Sequence, residues 1–489
     1  MITFIISLVA LIVGYMVYGR FVERIIKPTD NPTPAIAKAD GVDYLVLPGW
    51  KIFMIQFLNI AGTGPIFGAI MGAKFGPVAY LWIVLGCIFA GATHDYLSGM
   101  LSVRNGGASL PDLIGKYLGN ATKQVMLVFC VLLLMMVGTV FVFSPAKILG
   151  SIWEPAFFVE NFGSYFFWIV VVFVYYIIAT LLPIDKIIGK IYPLFAFSLI
   201  FMALALMVVL FVQWPTIPEL WQNMENMGAE RFDNGSLIFP GLFITIACGA
   251  ISGFHATQSP LMARCMKHER QGRPIFYGAM ITEGFVALIW ATVAMYFFYG
   301  EPAPGYQLIA GGVDALNDAP SVVNIICNDW LGIIGGILAM LGVVAAPITS
   351  GDTAFRSCRL IIADFLHMEQ RTKTKRLAVS IPIFAVAIAL LVWQMADKDG
   401  FNVIWGWFGW SNQTLSVFTL WTLTVYLARE RKPYIITLIP ALFMTVVCST
   451  FLFVSKQAFG LPVYVAYGLG SAVLTVAVIW FAIWKLKNK

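Results

Sequence analysis

Residues 60–65 read Ile60-Ala61-Gly62-Thr63-Gly64-Pro65 and lie in the middle of an apolar run, 51–73. Gly62 and Gly64 permit backbone angles closed to other residues. Pro65 cannot donate a helical hydrogen bond, yet it suits the first turn of a new helix. The segment therefore predicts two half-helices joined by an unwound stretch near 61–64. A second such stretch lies in the run 238–262: Cys248-Gly249-Ala250-Ile251-Ser252-Gly253-Phe254-His255-Ala256-Thr257-Gln258-Ser259-Pro260. It too reads as a broken helix, near 249–257. A pair of kinked helices with glycines at close contacts is the other reading.

Working outward, the apolar runs predict thirteen spans: 2–18, 51–73, 77–100, 124–146, 164–182, 188–212, 238–262, 274–299, 330–355, 377–395, 403–427, 433–455 and 461–484. About 20 apolar residues cross a ~30 Å hydrocarbon core. The chain is 60% hydrophobic and 11% charged, against about 25% charged in soluble domains. No run alternates with the period of a membrane strand, so the fold class is an all-α polytopic membrane protein. No positive charge precedes the run 2–18, so it reads as an uncleaved first span rather than a signal peptide.

Charge tests this count. With the N-terminus outside, the expected cytoplasmic segments hold 26 of the 31 Lys and Arg residues. A miscounted span would invert every later loop and scramble that ratio. The expected topology is therefore N-terminus outside, C-terminus cytoplasmic, in a multi-pass protein. The two breaks lie five spans apart, and an odd offset turns the second repeat upside down. That is the layout of inverted-repeat transporters. Spans 2–6 (51–212) and 7–11 (238–427) form the repeats. Residues 1–50 supply a peripheral span and linker, and 433–489 two more peripheral spans with a tail.

The net charge of +6 is scattered between apolar blocks and does not point to nucleic acid. The seven cysteines show no CxxC pairing, and the four histidines are dispersed, which argues against a disulfide or metal framework. No HExxH, GxSxG or Walker motif is present, so neither an enzyme nor an ATP-driven pump is expected.

Ile60–Pro65 followed by Gly68, together with Phe243–His255, resemble hallmark segments of the carbon starvation protein A family. Similar pieces are Ala92–Asp95, Tyr277–Met280 with Glu283, Asp352 with Arg356–Arg359, and Phe408–Gln413. The likeness spreads over nearly the whole chain, which is shorter than the longest members, chiefly in the middle. It implies uptake of peptides or pyruvate across a bacterial inner membrane, and a LeuT-like 5+5 inverted repeat.

An ionisable group inside a span costs roughly 2.5–3.5 kcal/mol on insertion scales, so each is a functional candidate. Glu283, Asp352, Asp95 and His94 are candidates for proton coupling or gating. A buried carboxyl locking two helices is the alternative for Glu283, and a structural ion pair for Asp95. Arg356 and Arg359 read as anchors where span 9 leaves the membrane, or as partners of Asp352. Candidate solute contacts are Gly62, Thr63, Gly64, Ser252, Gly253, His255, Thr257, Gln258 and Ser259. No Arg or Lys lies at mid-membrane in spans 2 or 7, so a carboxylate would be held by half-helix N-termini. These are expected at Gly64–Phe67 and Ala256–Ser259.

LeuT-type carriers bind one sodium ion with a carbonyl and adjacent Thr and Ser hydroxyls on the helix equivalent to span 9. Ala346, Thr349 and Ser350 match that pattern, and unwound carbonyls in span 2 would complete the set. Alternatively these hydroxyls bond back to their own helix. No other cofactor is expected. The expected function is an ion-coupled symporter importing a small organic solute by alternating access, with sodium or proton as the coupling ion and lipid as the surrounding partner. A passive channel or an amino-acid-type carrier is the competing reading.

Overall fold

The structure, a computed structural model, describes residues 1–41, 43–181, 188–231, 237–301, 319–370, 372–397 and 400–488. The described residues are helices joined by loops. Helix α1 spans Ile2–Ile26. Helices α2 (Gly49–Ile60) and α3 (Gly64–Ala73) form one span bent by 53°. Then come α4 (Val78–Arg104), α5 (Asn120–Ile152), α6 (Phe166–Leu181) and α7 (Ile188–Gln213). The second half holds α8 (238–245), α9 (Gly253–Ala263), α10 (Glu269–Tyr299), α11 (Ala319–Phe365), α12 (Lys373–Ala396) and α13 (Gly400–Arg429). Helices α14 (Ile435–Val454) and α15 (Val463–Lys487) close the chain.

Among the described residues, eight helices are long and apolar enough to span alone, and ten spans result if each bent pair counts as one. The other expected spans, 7, 9 and 11, fall on α8 with α9, on α11 and on α13. Span 5 falls on α6, and the short helix Ala156–Phe162 before it is turned away by 97°. Near its start α11 breaks at Gly332, whose φ of 62° is open mainly to glycine.

The first break sits where expected: Ala61–Thr63 leave the helix, and α3 begins at Gly64 with Pro65 in its first turn. The second lies earlier than the expected 249–257. It covers 246–252, and 253–257 are helical. The cause is a cap from outside the span. Asn412 on α13 accepts hydrogen bonds from the Phe254 N–H (2.7 Å) and the Ser252 hydroxyl (2.9 Å), fixing the helix start at Gly253. Pro260 consequently lies inside α9 instead of opening it. The half-helix N-terminus is at Gly253, not at Ala256–Ser259.

The core divides in two. One apolar cluster joins α1 through α4 with α7, α10, α14 and the start of α11. The other joins α5, α6 and α12 with the far part of α11 and the near part of α13. The basic loops expected on one side do meet at one end of the bundle. Arg104 donates to Glu269 (2.9 Å) and to the carbonyls of Ile26 and Lys27, Lys432 donates to the Ile26 carbonyl, and Arg429 to that of Lys116. Burial works against the Arg104 charge, but the hydrogen bonds it donates to Glu269 and Tyr426 outweigh it and raise its pKa.

Candidate functional site

The two breaks touch. A Cβ on Gly64 would lie 2.3 Å from the Cys248 Cβ, and one on Gly68 would lie 2.9 Å from the Thr245 carbonyl oxygen. Glycines four apart on α3 thus let it lie directly against the second break. Helix α4 closes in from a third side, where a Cβ on Gly91 would sit 2.2 Å from the Ala250 carbonyl oxygen. Gly249 takes φ +91°, which turns the unwound chain between these neighbours.

At this crossing lies a buried polar chain. His94 and His255 each bring Nδ1 to within 2.8 Å of a different oxygen of Asp95. The far side of the His255 ring, Nε2, is 3.5 Å from Glu283 Oε2. All four side chains are fully buried. The Cys248 sulfur completes the group: it, a His255 nitrogen and a Glu283 oxygen lie within 4.8 Å of one another. Two histidines that look dispersed in sequence therefore converge on one carboxylate. Both Glu283 oxygens, His255 Nε2 and His94 Nε2 have no hydrogen-bond partner.

A second polar group joins α11 to the first break. The Ser350 hydroxyl donates to the Leu58 carbonyl (2.9 Å), and a Cβ on Gly62 would lie 3.1 Å from Ser350 Oγ. Thr349 bonds back to the carbonyls of Ala346 (2.8 Å) and Ala345 (3.0 Å). Thr349 thus makes the bond back to its own helix, while Ser350 reaches across to α2. Two residues on, Asp352 accepts from the Tyr192 hydroxyl at 2.7 Å. Arg356 and Arg359 are 1% exposed within α11, which continues to Phe365; Arg356 donates to the Ala179 carbonyl and Arg359 to Gln370.

The remaining candidates are placed as follows. Thr63 lies in the first break, fully buried with its hydroxyl unpaired. Thr257 bonds back to the Phe254 carbonyl (2.7 Å) and Ser259 to that of His255 (3.0 Å). Gln258 donates to Thr257 Oγ1 at 2.8 Å. A cavity of about 580 Å³ lined by Trp410, Trp421, Cys448 and Trp480 lies elsewhere, among α13, α14 and α15.

This architecture has known counterparts. The family Carbon starvation protein CstA matches residues 1–159, 150–327 and 315–451. The chain belongs to the CstA family. It is 24% identical to the Peptide transporter CstA of Escherichia coli K12, over 86% of this chain and 76% of that protein. It is 28% identical to the Pyruvate/proton symporter BtsT of the same organism, over 60% of this chain and 49% of that protein. In fold it is similar to a manganese transporter mutant from Eremococcus coleocola, with a TM-score of 0.56 at 11% identity, covering 92% of this chain and 98% of that one. The protein is a multi-pass membrane transporter of LeuT-like fold, not an enzyme.

Four contributors to this CstA-family site escape a reading of the sequence alone. Cys248, Asn412, Tyr192 and the Leu58 carbonyl enter through contacts between distant segments. Gln56 and Asn59 are a different case: amides within an apolar run are visible, yet counting charged residues passes them over. Both are fully buried on α2 with every polar side-chain atom unpaired. Each unmatched buried polar group costs roughly 1–3 kcal/mol. The Asn412 cap is directly testable. Asn412→Ala should destabilise the purified protein by about 1 kcal/mol, the usual worth of a helix cap. An unchanged thermal midpoint would remove Asn412 from the break.

Proposed function

We propose that this transporter is a secondary active importer of a small organic carboxylate, pyruvate-like or a short peptide, and that protons drive it through Glu283. The carrying observation is the Glu283 carboxylate itself, buried at the crossing with both oxygens unpaired and 3.5 Å from His255. A carboxyl so placed can accept a proton when the crossing opens to one side and release it to the other. Asp95 holds the opposite ring nitrogen of His255, and His94 shares that carboxylate. The titratable groups around Glu283 are thus His255, Asp95, Cys248 and, from α4, Cys87, with His94 behind Asp95. The peptide and pyruvate–proton activities named for the two relatives support this reading.

The solute would meet Gly62, Thr63 and Gly64 at the first break and Ser252, Gly253 and His255 at the second. Asn412 already takes the Phe254 N–H, and at the start of α3 Pro65 has no N–H while the Ile66 and Phe67 N–H groups donate to the Thr63 carbonyl, so neither N-terminus offers an anion a full set of free donors. The membrane is the bacterial inner membrane, with the basic end of the bundle facing the cytoplasm.

Proteoliposomes given an inward pH gradient should accumulate pyruvate or a dipeptide above equilibrium. Equilibration without accumulation under every imposed gradient would mark a passive channel and overturn the proposal.

A sodium ion is the second reading, favoured by the adjacent hydroxyls of Thr349 and Ser350, the one on the Ala346 carbonyl and the other on the Leu58 carbonyl. If sodium binds there, Ser350→Ala should raise the sodium concentration for half-maximal uptake roughly tenfold, the effect of about 1.4 kcal/mol. Solute affinity at saturating sodium should hardly change. Uptake by the parent protein that ignores sodium would dismiss this reading.

A further inference from the structure

Gln56 and Asn59 are three residues apart on α2 and so share one face of the helix. Thr63 follows in the break that ends it. The three side chains are fully buried, and all five of their polar atoms are unpaired. Several buried polar side chains near the crossing do find partners: Ser252 with Asn412, Tyr192 with Asp352 and Ser350 with Leu58. These amides instead share their lack of one with the Glu283 carboxylate already assigned to transport. Unmatched amides are costly in a resting core, so a series of them at helical spacing is accounted for by a conformation in which something polar meets them.

The direction of the series is informative. Thr63 lies at the crossing, and from it the series runs back along α2 through Asn59 to Gln56, near the middle of the helix, in the direction of its start. Just before that start, Leu47 N–H donates to the Cys265 carbonyl at 3.1 Å, placing it at the basic end of the bundle. That end is closed in this structure. Arg104 and Glu269 pair across it, Glu269 also accepts from the Thr29 N–H, and the linker before α2 holds the Met266 carbonyl through Thr33 and the Gly106 carbonyl through Lys38. Helix α2 itself packs against α7, α9, α10 and α11, elements drawn from both repeats. A route from the crossing to this end would therefore follow α2.

We propose that Gln56, Asn59 and Thr63 line the path by which solute and water pass between the crossing and the basic end of the bundle, and that this path is collapsed in the present conformation. An amide offers a donor and an acceptor, and neither carries charge. The side chains can hydrate a passing polar group without trapping it, which a fixed Lys or Arg would do to an anion. Gln56 and Asn59 lie beyond the residues proposed to hold the solute or the proton, Thr63 is where the path meets them, and the path stands whichever ion drives transport.

Two experiments test it in the full-length protein in membrane vesicles of both orientations. Gln56→Cys and Asn59→Cys should react with a membrane-impermeant methanethiosulfonate reagent from the basic side at least tenfold faster than Leu58→Cys, which is equally buried on another face. The parent, whose seven cysteines are all buried, sets the baseline. Labelling no faster than Leu58→Cys from either side would overturn the path. Labelling only from the opposite side would overturn its direction. This readout needs no knowledge of the solute, so it fails separately from the proposed substrate.

The second uses leucine, which keeps the volume and removes the unmatched atoms. Gln56→Leu and Asn59→Leu should raise the thermal midpoint of the purified protein while cutting counterflow of labelled pyruvate or alanyl-glycine at least tenfold. Serine at either position should restore part of the transport. If leucine leaves transport intact, or lowers stability and transport together, the amides are structural and the proposal fails.

Discussion

Glu283→Gln should eliminate solute accumulation driven by a pH gradient while leaving solute exchange at equal pH largely intact. Glutamine has nearly the shape of glutamate but cannot carry a proton across. The expected loss of concentrative uptake is at least on the order of a hundredfold, the scale on which removing a positioned proton-transfer group acts. Exchange survives because it needs the crossing to open and close but not to move net charge. Asp95→Asn should behave differently. It replaces one carboxylate oxygen by an NH2 group and removes the charge, so it can no longer accept from both His255 and His94, two bonds of 2.8 Å, and exchange and accumulation should fall together. The pair of variants separates a coupling group from a group that builds the site. Accumulation by Glu283→Gln at the parent level, with the parent pH profile, would remove Glu283 from the mechanism.

Some of this site is legible in the sequence because its causes are local. Gly62, Gly64 and Pro65 act on their own backbone, and the break at Ala61–Thr63 falls where those residues place it. The even–odd alternation of basic loops depends only on counting spans, and the loops so assigned do meet at one end. The second break is less legible because its position is decided by Asn412, about 160 residues away, whose side chain caps α9. The Asp95–His255 contact likewise joins positions 160 apart. A lone histidine gives no sign of its partner. Arg356 and Arg359 add a further case. Two arginines after an apolar run give no sign of burial, yet α11 runs on to Phe365 and buries both against carbonyl and amide partners.

Gly91→Ala should give a large structural effect at this protein's crossing. The new Cβ would stand 2.2 Å from the Ala250 carbonyl oxygen and 2.8 Å from Met280 Cε. The methionine can turn away, but the carbonyl belongs to the unwound backbone of the second break and cannot. Overpacking usually costs about 1–3 kcal/mol, and a backbone clash lies at the upper end. Gly64→Ala places a Cβ 2.3 Å from that of Cys248. There the obstacle is a side chain, so Cys248→Gly in the same molecule should recover much of the folded yield. No second substitution of that kind exists for Gly91. Gly468→Ala on α15, where nothing lies within 4 Å of the added atom, supplies the control. The measurement is the monodisperse fraction and thermal midpoint of each purified variant. If Gly91→Ala matches Gly468→Ala on both, α4 does not press on the second break, and the close approach that places Asp95 beside His255 has another origin.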